Sequence, residues 1–332
     1  MFTNDTRSVK TTNSGYSFRH VLGPSAAGHT TLTYLSEHFD HSSRDQWRER
    51  LEAREIRLDG NVATGDEGVK PGSVLIWDRP GWIEDVVPMD YQLLYGDESL
   101  IAVHKPSGLP TLPGAGFYQN TLLSLVQLEY PTATPLHRLG RATSGIVLFA
   151  LDRQISATMS RQWELVHKEY RTLVQGEVRF DSVCIQTPIG LLPHPRLGAI
   201  YGASWSGKGS RSVVSVLQRR GDATVCSVDL LTGRPHQIRI HLASIGFPLL
   251  GDPVYGAGGG IVDNAGLPGD AGYHLHAHRI RFTHPMTKAA IQIEAPLPDC
   301  LRIDLSGGIE GPSQPSEAMI PIDPNQTAEN HI

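Results

Sequence analysis

Five consecutive apolar residues, Ile146 to Ala150, follow directly on the polar turn Thr143-Ser144-Gly145. An apolar run that short, entered through turn chemistry, reads as a buried strand, and the rest of the chain must supply the sheet and core that cover it. Just ahead of the turn stand His137, Arg138 and Arg141. Polar groups at the mouth of a buried strand are a common way of building a site. Two further dense stretches, His104 to Gly108 and Thr232 to Gly256, read as other walls of the same pocket.

The 332 residues are enough for one large core or two smaller ones. A hydrophobic fraction of 39%, with 34 Gly and 23 Pro, predicts abundant turns rather than a helical bundle. Met1 to Lys10 are polar and lack an apolar signal core, so secretion is not expected. No apolar run approaches the roughly 20 residues that span a bilayer, so no membrane partner is expected. Cys184, Cys226 and Cys300 are odd in number and far apart, which fits neither a disulfide framework nor a zinc spacing. A cytoplasmic location is expected. The net charge of −5 is uneven: five of the 34 acids lie from Asp304 onward, where no Lys or Arg occurs, leaving 29 acids against 29 basic residues elsewhere. Any basic surface must therefore be local.

Along the chain, residues 1–28 form an N-terminal extension with little periodic pattern. Residues 29–85 read as a small domain of two helices and a hairpin. Leu32, Leu35 and Phe39 share a helical face, and Ser42-Ser43-Arg44-Asp45 caps a second helix running to about Arg54. Arg50, Arg54 and Arg57 then fall at i, i+4 and i+7 on one face, balanced by Glu49, Glu52 and Glu55. Residues 86–303 read as a larger α+β domain with a mostly antiparallel sheet and helices at Thr121–Glu129 and Gln154–Trp163. Within it, 257–272 is expected to be a mobile surface loop. Residues 304–332 are Pro-, Ser- and Glu-rich and read as a disordered acidic tail.

Several motifs are weaker than they look. Gly202 to Gly209 nearly fits a phosphate loop, but its last position is Gly where a hydroxyl is needed, so no nucleotide cofactor is expected. His274, His276 and His278 would share a strand face, yet no Cys or acidic ligand lies close, and satisfied histidines account for them without a metal. Thr143-Ser144-Gly145 lacks the Gly-x-Ser-x-Gly of a nucleophile elbow. Thr232 to Leu242 is stronger. Arg239 and His241 alternate with Ile238, Ile240 and Leu242 as an amphipathic strand or the start of a helix, and a guanidinium held there suits a carboxylate or phosphate.

His104-Lys105-Pro106-Ser107-Gly108, His137-Arg138-Leu139 with Thr143-Ser144-Gly145, Lys168-Glu169-Tyr170, Thr232 to Arg239, Gly251-Asp252, Leu275-His276-Ala277 and Phe282 to Pro285 occur in the order seen in RluA-type pseudouridine synthases. The resemblance spans about residues 86–297. The element order before it, helix, basic helix, Ile-Arg-Leu-Asp-Gly and Lys-Pro-Gly-Ser-Val, resembles the small RNA-binding domain of ribosomal protein S-four.

The resemblance implies a pseudouridine synthase fold, an RNA partner (ribosomal or transfer) and no cofactor. It implies isomerisation of a uridine within structured RNA, with the target base flipped from its stack at a cost of roughly a few kcal/mol. Tyr170 would stack on the uracil, Arg138 would help displace the base, and Arg239 would pair with the catalytic carboxylate. Lys105, Arg141, Arg50, Arg54 and Arg57 would meet phosphates. The sequence departs from the family at Gly140, which directly follows His-Arg-Leu where the family has its catalytic Asp. Losing positioned proton transfer costs about a hundredfold to ten-thousandfold in rate, and losing a nucleophile about a millionfold. Two expectations follow: a synthase using a relocated carboxylate, with Glu169, Asp152, Asp229 and Asp252 as candidates, or a catalytically silent RNA-binding or chaperone protein.

Overall fold

A computed structural model of the chain describes residues 12–303. The expected acidic tail and the first eleven residues of the extension lie outside the described residues. Among the described residues no helix is long and apolar enough to cross a membrane. The chain divides into two compact units between residues 86 and 87.

The first unit runs β1 (Tyr16–Val21), α1 (Thr31–His38), α2 (Arg44–Glu52), β2 (Ile56–Leu58), β3 (Asn61–Val62) and β4 (Val74–Arg79). Its antiparallel sheet has the order β1-β4-β2-β3. The edge strand β1 lies in the stretch read as patternless. Every one of its residues is exposed, and the apolar–polar alternation of Tyr16-Ser17-Phe18-Arg19 is too short to have marked a strand. Both helices open with reciprocal capping boxes, Thr30 with Thr33 and Ser43 with Gln46. Leu35, Trp47, Leu51, Ile56 and Leu75 close the core between helices and sheet.

The arginine face expected on α2 does not form. The helix stops at Glu52, and Arg54 takes a left-handed conformation with φ of 63°. The Glu55 N–H then reaches back to the Arg50 carbonyl at 3.0 Å, a closure that satisfies a helix-end carbonyl and turns the chain into β2. Arg57 therefore lies on a strand, where it pairs with Asp78 at 2.6 Å. The Arg50 guanidinium rests against two indoles, 4.5 Å from the Trp47 centroid and 4.2 Å from that of Trp77. Arg54 is exposed.

The second unit continues with β5 (Gln92–Gly96), β6 (Leu100–Lys105), α3 (Leu122–Glu129), β7 (Thr134–Pro135), β8 (Ser144–Ala150), α4 (Arg153–Arg161), β9 (His167–Gln175), β10 (Ser182–Ile185), β11 (Ile189–His194), β12 (Gly198–Ala203), β13 (Ser212–Arg219), β14 (Ala223–Leu230), α5 (Gln237–Ser244), β15 (Leu275–Thr283) and β16 (Ala290–Glu294). One ten-stranded sheet runs β10-β13-β14-β9-β15-β8-β6-β5, with β16 added to β15 and β7 to β8. All its pairings are antiparallel except β8 with β15. The mixed α+β architecture with a mostly antiparallel sheet expected from the sequence is the one observed.

Every residue of β8 is buried, because the sheet is covered on both sides at this strand. Val147 and Phe149 join the core that receives α3 and α5, whereas Ile146 and Leu148 join the core that receives α4. Each such side chain contributes about 1.5–3 kcal/mol of burial. The apolar run thus has no polar face, as a central covered strand requires.

Candidate active site

The site forms where β6, β8 and β9 meet the loop 137–143 on the α3–α5 side of the sheet. Gly145 decides how closely these strands approach. It lies opposite Ala277 on β15 with φ of 111°, and a Cβ added there would stand 2.3 Å from the Ala277 carbonyl oxygen. Only Gly permits that contact.

The loop is fastened from below by the His104 to Gly108 stretch, which the sequence read as a separate wall. Lys105, on β6, is fully buried, and its Nζ donates to the carbonyls of Pro106 (2.9 Å), Leu109 (2.6 Å) and Arg141 (3.1 Å). Burial pushes the Lys105 ammonium down to about 7. Its expected role on phosphate is therefore corrected: the amine is sealed inside and ties two loops together. The Ser107 hydroxyl donates to the Ala142 carbonyl at 2.6 Å, and Thr111 donates to Leu139 at 2.9 Å. His137 anchors the loop's start, its Nε2 accepting from the Leu148 N–H at 3.0 Å. Burial, then the charge of Lys168, pushes this imidazole down to about 3.

Held in this way, the loop exposes Arg138 and Gly140. Tyr170 lies on β9 in the same core face as Leu139, Ile238 and Tyr273; it is 8% exposed, and burial pushes its phenol up to about 12.

Arg239 lies on α5, the helix alternative of the sequence reading, seven of whose eight residues are buried. Its Nε donates to Asp252 Oδ2 at 2.7 Å and an Nη to Oδ1 at 2.6 Å, with the two side chains only 3% and 1% exposed. Asp252 Oδ1 also accepts from the N–H groups of Val254 and Tyr255. Burial works against the Arg239 charge, but the Asp252 bonds outweigh it and hold the guanidinium above its ordinary value. The guanidinium also lies 4.2 Å from the Tyr273 ring centroid and 5.0 Å from that of Tyr255.

Of the four candidate acids, only Asp252 pairs with Arg239. Glu169 neighbours Tyr170 on β9 and so points through the other face, where it pairs with Arg171 and Arg279. Asp229 sits opposite it on β14 and pairs with His167. Asp152 caps α4.

The loop 257–272, read as mobile, is gripped by the site. Arg239 donates to the Pro268 carbonyl at 2.7 Å and Arg141 Nε to that of Gly269 at 2.9 Å, with Asp270 3.5 Å from Arg141. Arg141, expected on phosphate, places its Nε and one Nη on this loop, with its side chain 31% exposed. The three histidines before and on β15 diverge: His276 bonds Ser144 at 2.8 Å, His278 the Ala295 carbonyl at 3.0 Å, and His274 lies 3.5 Å from the Cys300 sulfur. Among the described residues no cluster of three or more His, Cys, Asp or Glu is placed to hold a metal.

Sequence reasoning missed Tyr273. Its position two residues ahead of Leu275-His276-Ala277, at the end of a Gly-rich loop, was the available signal.

Residues 99–244 match the RNA pseudouridylate synthase family. An uncharacterized RNA pseudouridine synthase of Synechocystis is 40% identical over 80% of this chain and 94% of its own length. RNA pseudouridine synthase 5 of Arabidopsis thaliana is 34% identical over 87% of this chain and 95% of that protein. Ribosomal large subunit pseudouridine synthase D of Neisseria meningitidis is 34% identical, covering 70% of each. The solved structure of human RNA Pseudouridylate Synthase Domain Containing 1 shares the fold, with a TM-score of 0.50 at 21% identity over 66% of this chain and 89% of that one. The match along most of the chain, at 40% and 34% identity to these relatives, places the chain in the RNA pseudouridine synthase family.

Proposed function

We propose that this chain isomerises a specific uridine in structured RNA, ribosomal or transfer, to pseudouridine after the base is flipped out of its stack. What supports the reading is that Leu139, Tyr170 and Ile238, from the family's separated motifs, share one core cluster, with Arg138 exposed on the clamped 137–143 loop and Arg239 of α5 paired to Asp252. Tyr170 offers the aromatic face on which a flipped base stacks. Arg138 is free to take the vacated place in the RNA, and Asp252 answers the charge of Arg239. The first unit serves as the S-four-type RNA-binding domain, with Arg54 exposed to meet phosphate, so binding weakens as salt rises.

A second reading rests on Gly140, which supplies no carboxylate: a silent family member that binds or chaperones RNA. Incubating the protein with unmodified ribosomal and transfer RNA and measuring pseudouridine by mass separates the two. Pseudouridine at a defined position supports the synthase. Salt-sensitive binding with no product in either RNA overturns it in favour of the silent reading.

A further inference from the structure

Gly140 leaves a place unfilled in the loop, and its surroundings are specific. A Cβ at this position would stand 3.5 Å from the Tyr273 hydroxyl and 3.6 Å from the Thr143 hydroxyl, both ordinary contacts. The two hydroxyls are 3.4 Å apart. The space an Asp side chain would enter from Gly140 is therefore bordered by a phenol. The Tyr273 ring is 5% exposed and held by the Arg239 guanidinium over its face. Asp252, by contrast, already accepts two bonds from Arg239 and two from backbone N–H groups, and its side chain is 1% exposed. A carboxylate so engaged cannot turn toward a base without stranding a buried cation.

We propose that Tyr273 is a catalytic residue whose hydroxyl does the proton transfer of the isomerisation, at the place the family's carboxylate after His-Arg-Leu would enter. The proposal rests on the synthase reading. The isomerisation breaks the bond from the sugar carbon to the ring nitrogen, with its electron pair leaving on nitrogen. It forms a bond from a ring carbon to the same sugar carbon, and the hydrogen on that ring carbon departs as a proton. One proton moves from carbon to nitrogen and nothing is oxidised or reduced. Tyr273 donates its proton to the nitrogen, and the resulting phenolate takes the proton from the carbon, restoring the phenol. Thr143 hydrogen-bonds the oxygen throughout, and Arg239 stabilises the negative charge between the two transfers.

The test is a comparison of wild type, Tyr273→Phe, Gly140→Asp and the double variant on the RNA that wild type modifies. Tyr273→Phe keeps the ring under Arg239 and removes only the hydroxyl. It is expected to slow product formation by about a hundredfold to ten-thousandfold while RNA affinity stays within about twofold. Adding Gly140→Asp to Tyr273→Phe restores at least tenfold of that loss, since the carboxylate enters the same space. A Tyr273→Phe enzyme within threefold of the wild-type rate overturns the proposal, as does a loss of rate that comes with an equal loss of RNA affinity and no rescue. Absence of product from wild type itself overturns the synthase reading and Tyr273 with it, so the two failures are told apart by the wild-type lane.

Discussion

Asp252→Ala is the substitution for which the structure sets the largest cost. The Arg239 and Asp252 side chains are 3% and 1% exposed, and their bond is bidentate at 2.6 and 2.7 Å. Removing the carboxylate leaves a buried guanidinium with only the Pro268 carbonyl and two aromatic faces. An uncompensated buried charge of this kind costs about 3–5 kcal/mol, and the orphaned N–H groups of Val254 and Tyr255 add to it. For a unit of this size the loss corresponds to a fall in melting temperature of roughly 6–20 °C. The stranded charge can be separated from the lost backbone bonds by a cycle with Arg239→Met. Because replacing both charges removes the burden rather than splitting it, the double variant should be more stable than Asp252→Ala alone. Urea unfolding of the four proteins at one pH measures the coupling. An Asp252→Ala protein within about 1 kcal/mol of wild type, or a double variant as costly as the two singles together, would refute the assignment of Asp252 as the buried counter-charge.

Lys105→Met removes three donors at once and leaves carbonyls from both loops unanswered, so a loss of about 3 kcal/mol is expected in thermal unfolding, with faster proteolysis near 137–143. Acid should also destabilise the fold. Burial holds His137 and His276 at about 3 and His236 and His241 at about 4. Below about pH 6.5 the unfolded chain takes up protons that the folded chain refuses, so each group removes about 2 kcal/mol between pH 7 and 5. A urea midpoint that stays flat over that range contradicts the buried neutral state of these rings.

Much of the larger unit was legible because its signals are local. The covered strand Ser144–Ala150 announced itself as an unbroken apolar run, and the caps at Ser43 and Thr121 sit where short polar side chains precede apolar spacing. The arginine face failed for a reason the spacing does not carry: the chain leaves the helix through a left-handed residue that is Arg rather than Gly. Lys105 was misread because a charged residue beside a Pro-Ser-Gly turn looks exposed, and only the fold brings three carbonyls around it. Tyr273 and Asp252 depend on contacts across 130 and 13 residues, Tyr273 with Thr143 and Asp252 with Arg239, and periodicity does not report such contacts.

The grip on the 257–272 loop has a consequence for how this pocket can diversify. Arg239 and Arg141 hold that loop chiefly by the main-chain oxygens of Pro268 and Gly269. A main-chain oxygen is present whatever residue stands there. Exposed side chains of the loop, such as those of Asp263 and Leu267, can therefore be exchanged while the same two guanidinium anchors keep its path.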